Sequence, residues 1–205
     1  MYLPRSFRVQ DKNRLAAFMR RYSFATMVTP AAGDVAITHL PVLLDGGDEQ
    51  WTVRGHVARA NPHWQALPGA RTTLVFHGPH SYISPGWYDD HNEVPTWNYA
   101  VVHAHGRARL IEDSNALDRL VDEAIDQYEE LHDSPWNRRL APENRKRQLE
   151  YIVGFEIAID QLEGKFKLGQ NRSVSDQQSM RLALSESGDD DSRALAAFIE
   201  SFARE

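Results

Sequence analysis

The 205-residue sequence has no cysteine, which excludes disulfide scaffolding, thiolate catalysis, cysteine-ligated zinc and iron–sulfur clusters. Long apolar runs are missing too. No window approaches eighteen consecutive apolar residues, and Met1-Tyr2-Leu3-Pro4-Arg5 has no apolar signal-peptide core. The sequence therefore predicts neither a membrane span nor secretion, and it suits a cytoplasmic protein. Positive charge is not in excess either. Lys and Arg number 23 against 29 Asp and Glu, a net charge of −6, the wrong sign for a dedicated electrostatic grip on nucleic acid. Neither G-x-G-x-x-G nor G-x-x-x-x-G-K-[ST] follows an expected strand, which counts against a dinucleotide fold or a P-loop. No helix-turn-helix pattern with a basic recognition helix is legible.

What is present is ordinary in amount but uneven in placement. A hydrophobic content of 41% and a charged content of 25% are those of a soluble globular chain. The length fits one domain, or one domain with a small appendage, and can bury a sizeable core. Residues 1–112 carry 11 Lys and Arg and 9 Asp and Glu, whereas residues 113–205 carry 12 and 20. Eight of nine His and four of five Trp lie between His39 and His105. Chemistry is therefore expected in the near-neutral, ring-rich part, and acidic helical sequence in the rest.

Asp11 predicts a capped helix with Leu15, Phe18 and Met19 on one face. Strands are predicted over 24–29, stopped by Pro30 and Gly33, and over 35–44. The turn Asp45-Gly46-Gly47-Asp48 then leads to a strand over 51–57. Asn61-Pro62 opens a short helix through Leu67. A strand over 72–77 precedes a loop, 78–96, rich in Pro, Gly and aromatics, in which Asp89-Asp90 reads as solvated. A long strand follows from Trp97 to Ile111. Helix is predicted from Ser114, with an apolar stripe of Leu117, Leu120, Val121, Ala124, Ile125, Tyr128 and Leu131, and again from Pro142 to about Tyr151. Residues 153–159 alternate as a strand with Phe155, Ile157 and Ile159 inward. Asp189 to Asp191 lead into a terminal helix containing Leu195, Phe198, Ile199 and Phe202. Six or seven strands with interspersed helices predict an antiparallel α+β fold with a mainly β core, closed or partly split as a small barrel.

Three segments carry candidate chemistry. In Gly55-His56-Val57-Ala58-Arg59-Ala60-Asn61-Pro62-His63-Trp64 a strand ends, an Arg follows and a helix begins; backbone N–H groups and a guanidinium together suit a phosphate. A capped helix with a surface Arg is the plainer alternative. In residues 78–88 and 94–99, rings stand beside Ser, Thr and Asn, which suits a flat heterocycle or, equally, a barrel end or dimer interface. In residues 162–172, Phe166 and Leu168 point one way, and Lys165 and Lys167 the other. That stretch offers donors for an anion or a ring carbonyl, or is a solvated hairpin end. His103 and His105 share a strand face where two imidazoles could chelate, although a polar outer face explains them as well. Neither a Ser/His/Asp order nor a paired-carboxylate pattern stands out, and no metal site is assigned.

Taken together, His39-Leu40-Pro41, Gly55 to Pro62, Gly78-Pro79-His80-Ser81-Tyr82-Ile83-Ser84-Pro85, Val94-Pro95-Thr96-Trp97-Asn98-Tyr99 and Leu162 to Leu168 resemble the PaiB-like family, described as FMN-binding negative transcriptional regulators. The likeness runs from Met1 to about Arg172. It implies an FMN-binding split β-barrel of Greek-key type with peripheral helices. In that reading residues 1–172 form the barrel domain, with helices inserted over 114–151, and residues 173–205 form a helical appendage. It also implies a homodimer with FMN between subunits, and repression of protease synthesis and sporulation. Carried over, His39, His56, Ala58, Arg59 and Asn61 belong to the cofactor site, the last four near the phosphate. Tyr82, Ile83 and Ser84 flank the isoalloxazine or ribityl chain, and Trp97 and Asn98 line the same pocket. Lys167, Gln170 and Asn171 arrive from the partner subunit. A DNA partner is implied only by the family description. The alternative functions are an FMN-dependent oxidoreductase in the same pocket, or a haem-binding barrel using His103 or His105.

Overall fold

The computed structural model describes residues 1–47, 50–89, 93–130 and 140–204. Asp48 of the expected turn, Asp90 of the expected loop and Leu131 of the expected stripe lie outside them. The chain forms two compact units. The first comprises Met1–Phe18, His77–Val102 and Glu163–Glu205, and the second Met19–Phe76 and His103–Leu162.

The elements run β1 (Arg8–Val9), α1 (Lys12–Arg21), β2 (Phe24–Ala31), β3 (Asp34–Pro41), β4 (Leu43–Gly46), β5 (Trp51–Ala58), α2 (His63–Ala66), β6 (Arg71–Ile83), β7 (Thr96–Ile111), α3 (Ser114–Glu129), α4 (Pro142–Leu149), β8 (Ile152–Lys167), α5 (Val174–Ser185) and α6 (Asp190–Arg204). The eight strands make one sheet in the order β3-β2-β6-β7-β8-β5-β4, with β1 added to β8. The pairings β1–β8, β2–β3, β2–β6, β4–β5 and β5–β8 are antiparallel. Strands β3 and β4 terminate the order. The α+β fold is therefore an open, split arrangement and not a closed barrel.

Several strands differ from the pattern-based boundaries for identifiable reasons. The run 35–44 is two strands. Pro41 has no N–H to continue the ladder, and the Val42 N–H donates to the Ser23 carbonyl at 3.0 Å; the chain then pairs with β5 through Leu43↔Arg54. Strand β2 passes through Pro30 to Ala31, which pairs with Asp34. Ala32 and Gly33 close that hairpin with φ of 44° and 91°, both in the left-handed region a tight hairpin turn needs. Strand β6 continues through Gly78 because the Phe18 ring lies there; a Cβ at 78 would stand 2.7 Å from it. Strand β8 runs on to Lys167, so the third candidate segment is largely strand. Helix α5 lacks a clear apolar period and starts where the Ser173 hydroxyl accepts from the Asp176 N–H at 3.1 Å.

In the first unit, Leu15, Phe18, Phe166, Leu168, Met180, Leu184, Leu195 and Phe198 are buried. Phe18 packs on Phe166 at 4.9 Å between centroids, and Phe166 on Phe202 at 5.4 Å. In the second, Met27, Val53, Leu67, Leu74, Phe76, Phe155 and Ile157 are fully buried. A smaller cluster of Leu43, Leu117 and Leu120 packs with Ile111, Tyr128, Leu149 and Ile152. Each such side chain contributes about 1.5–3 kcal/mol of burial, enough to fix the strands that present the site residues.

Candidate cofactor-binding site

Of the thirteen expected cofactor residues, eight fall in the first unit and five in the second. In the first unit, alternation along β6 buries Ser81 and Ile83 and turns His80 and Tyr82 outward. Tyr82 is 45% exposed and Trp97, near the start of β7, 53%. Their rings meet edge to face with centroids 6.2 Å apart, and His80 lies 6.2 Å from the Trp97 ring. Exposed rings in this number form an apolar wall, and one ring face of it can stack a planar heterocycle. Ser81 is fixed from behind by a buried hydroxyl contact with Ser192 at 2.8 Å. The Ser84 hydroxyl accepts from the Gly86 N–H at 3.2 Å, which sets the turn after β6.

Lys167 donates to the Thr96 hydroxyl, one residue before Trp97. Burial first, then the neighbouring charges of Lys165 and Arg172, pushes its ammonium below the ordinary lysine value. This cation lacks stabilisation, and an anionic or strongly polar ligand atom would supply it. Lys165 is held over Tyr99 at 5.3 Å, and Arg172 over Tyr88 at 4.9 Å while paired with Glu93. Asn98 is buried, its amide donating to the Met180 thioether at 3.2 Å, a weak acceptor. Gln170 is committed to its own chain: its amide donates to the Phe166 carbonyl at 2.6 Å and accepts from the Leu168 N–H at 2.8 Å. Asn171 is exposed.

In the second unit, His39 is exposed and bonded through Nδ1 to the Thr26 hydroxyl at 2.9 Å. His56 is half-buried on β5, and burial lowers its pKa. Ala58 ends that strand. Arg59 takes three successive carbonyls: its backbone N–H donates to Tyr151 at 2.7 Å, Nε to Glu150 at 2.7 Å and Nη2 to Ile152 at 3.0 Å. Asn61 accepts from the His63 N–H at 3.0 Å and donates to the Thr38 hydroxyl at 3.1 Å. The helix it opens, α2, is only four residues long, too short for a developed dipole.

His63 lies in the first candidate segment with no role read for it, and it is 3% exposed. Its ring joins Thr38 at 2.8 Å and Thr29 at 2.9 Å, and Thr29 joins Thr72 at 3.0 Å. Burial lowers its pKa, so the neutral ring links strand hydroxyls. Its place directly after Asn61-Pro62 was the available signal, since an Asx turn directs the next side chain inward. His105 is bonded to Thr73 at 2.9 Å, and its ring lies 6.1 Å from that of His103.

The first unit's donor set fits a flavin: flat exposed rings for the tricyclic ring, and a half-buried ammonium for its carbonyl edge or phosphate. The open antiparallel sheet with flanking helices gives the chain a split-barrel fold. It resembles the flavocytochrome Anf3 from Azotobacter vinelandii with a TM-score of 0.60 at 17% identity, covering 78% of this chain and 69% of that one. It also resembles the FAD and heme binding protein from Mycobacterium smegmatis, with a TM-score of 0.58 at 14% identity, covering 84% and 78%. Within that fold the chain belongs to the FMN-binding family described as "Putative FMN-binding domain", whose model matches residues 1–161. It is 34% identical over 203 residues to the protease synthase and sporulation protein PAI 2 of Bacillus subtilis (98% of this chain, 97% of that one). It is 30% identical over 200 residues to an uncharacterized protein of Emericella nidulans, covering 79% and 80%. FMN is the cofactor of this domain. Among the described residues, no helix is long and apolar enough to cross a membrane.

Proposed function

We propose that the protein is a homodimeric, FMN-dependent regulatory protein whose isoalloxazine lies against Trp97 and Tyr82, with Lys167 meeting an anionic or carbonyl oxygen of the cofactor. The observation that carries the reading is the exposed Trp97–Tyr82 pair in a chain of an FMN-binding family, with a half-buried ammonium of lowered pKa bonded to Thr96 in the same unit. Bound FMN supplies one- and two-electron redox chemistry and a visible chromophore. Regulation is supported by the name of the Bacillus subtilis relative, a protease synthase and sporulation protein. A net charge of −6 argues that any such control works without a strong phosphate grip of the chain's own.

Self-association is supported by one sheet face of the second unit. Directly opposed residues share a face, so Phe24, Val28, Val35 and Ile37 lie together across β2 and β3. Phe24, Val35 and Ile37 are 66%, 52% and 57% exposed. His39 lies on that face as well, opposite Thr26.

The test is titration of purified protein with FMN, followed by flavin fluorescence and the visible spectrum, then addition of NAD(P)H. Saturable binding at micromolar FMN, with a bound flavin that NAD(P)H reduces slowly, supports the reading. The absence of saturable binding defeats the cofactor placement, and rapid bleaching moves the protein to the flavin oxidoreductases.

A further inference from the structure

The second unit contains a cavity of about 800 Å³, within the usual small-ligand range of about 300–1,000 Å³. It is built from the end of β5, the end of β7, the first turn of α3, helix α4 and the start of β8. Leu110, Ile111, Leu117, Leu149 and Ile152 give it apolar walls. We propose that this cavity is a binding site, separate from the flavin-ring platform, for a small carboxylic acid with an apolar body, its carboxylate held by Arg59.

The guanidinium decides the ligand class. Nε and Nη2 of Arg59 are fixed on the carbonyls of Glu150 and Ile152, and Trp64 Nε1 donates to the Arg59 carbonyl at 3.0 Å. That spends one edge of the fork and orients the other. Nη1 and the second hydrogen of Nη2 remain, the geometry that receives a carboxylate through two parallel bonds. Carbonyls satisfy hydrogen bonds without cancelling charge, and among the described residues Arg59 has no carboxylate partner. The other guanidinium on the wall, Arg145, is neutralised by Asp118 at 2.5 Å and Asp122 at 2.7 Å.

The remaining charges separate a monoanion from a phosphate. Lys146 adds a cation, while Glu112 and Glu150 add two anions to the same walls. Around Arg59 those three sum to −1, a surround that disfavours a phosphate dianion more than a single carboxylate. The first turn of α3 offers no anion site, because the Asp113 carboxylate already accepts from the Asn115 and Ala116 N–H groups at 3.2 and 3.1 Å. One fixed fork above an apolar floor suits a single carboxylate on a hydrocarbon or aryl body.

The probe is decanoate, titrated calorimetrically into FMN-saturated protein, with decanol as the uncharged control. Saturable decanoate binding at least tenfold tighter than decanol is expected. The Arg59→Lys variant, which loses the fork but keeps the charge, should bind decanoate at least tenfold more weakly. Leu149→Trp should remove binding by filling the cavity, and Lys146→Ala, on an exposed helix position, should weaken it several-fold, both with FMN affinity unchanged. The proposal is overturned by a lack of saturable heat with decanoate, by equal binding of decanol, or by FMN and decanoate displacing one another.

Discussion

Replacing Lys167 by methionine keeps much of the side chain's length and removes its charge. In the folded protein that charge is disfavoured by burial and by Lys165 and Arg172, and its partner among the described residues is the neutral Thr96 hydroxyl. Loss of the hydrogen bond, worth about 0.5–1.5 kcal/mol, is offset by relief of the repulsion. Urea stability should therefore change by less than about 1 kcal/mol. Binding should behave differently. A charge-assisted hydrogen bond to FMN contributes about 1.5–3 kcal/mol, so Lys167→Met should weaken FMN roughly 10- to 150-fold. The pH dependence gives a second reading. The ligand favours the protonated ammonium, so affinity for FMN in the native protein should decline as pH rises through the lowered Lys167 pKa, whereas the variant lacks that decline. Fluorescence titrations across alkaline pH, paired with urea melts, measure both quantities. Unchanged FMN affinity in a stably folded variant would refute the placement of Lys167 at the cofactor.

The remaining predictions concern the scaffold and the assembly. His63 and His56 both have lowered pKa values, so the unfolded chain binds protons first. Stability should fall as pH drops below about 6.5, and His63→Gln should flatten part of that slope in urea melts at about pH 7.5 and about pH 5.5; an unaltered slope would remove His63 from the explanation. Gly169→Ala should cost about 1–2 kcal/mol for its left-handed φ of 86°. Crowding of the Met180 methyl 3.0 Å away adds to this, and thermal melting reads the total. Ile37→Lys should shift the protein from dimer to monomer in light scattering with little change in the monomer's fold, and a persistent dimer would clear this face of that role.

Helix and strand identity was legible where one face is buried and the other is wet. The Leu117 to Tyr128 stripe and the Phe155, Ile157, Ile159 alternation are instances. Boundaries were less legible because long-range contacts set them. Nothing local says that Gly78 accommodates Phe18, or that Val42 leaves the line of β3 for the Ser23 carbonyl. At the candidate site, the shared face of Phe166 and Leu168 followed from period two, whereas the outward turn of Tyr82 depends on β6 running on to Ile83 through what reads as a loop. The fate of a polar side chain did not, since Arg59, Gln170 and Asn61 are each engaged by backbone or hydroxyl groups that only the tertiary arrangement supplies. The part of α4 in the cavity wall was invisible for the same reason, since the partners of Arg145, Asp118 and Asp122, come from α3.

The three carbonyls gathered by Arg59 also bear on which positions tolerate change. Where α4 ends and β8 begins, residues 150, 151 and 152 would otherwise each need water or a capping side chain. Because one distant residue satisfies all three backbones, the side chains of Glu150 and Tyr151, the latter 62% exposed, are released from any capping duty. A saturation library should therefore accept most residues at 150 and 151 for folding, while substitutions at 59 forfeit two of the three bonds and cost more stability.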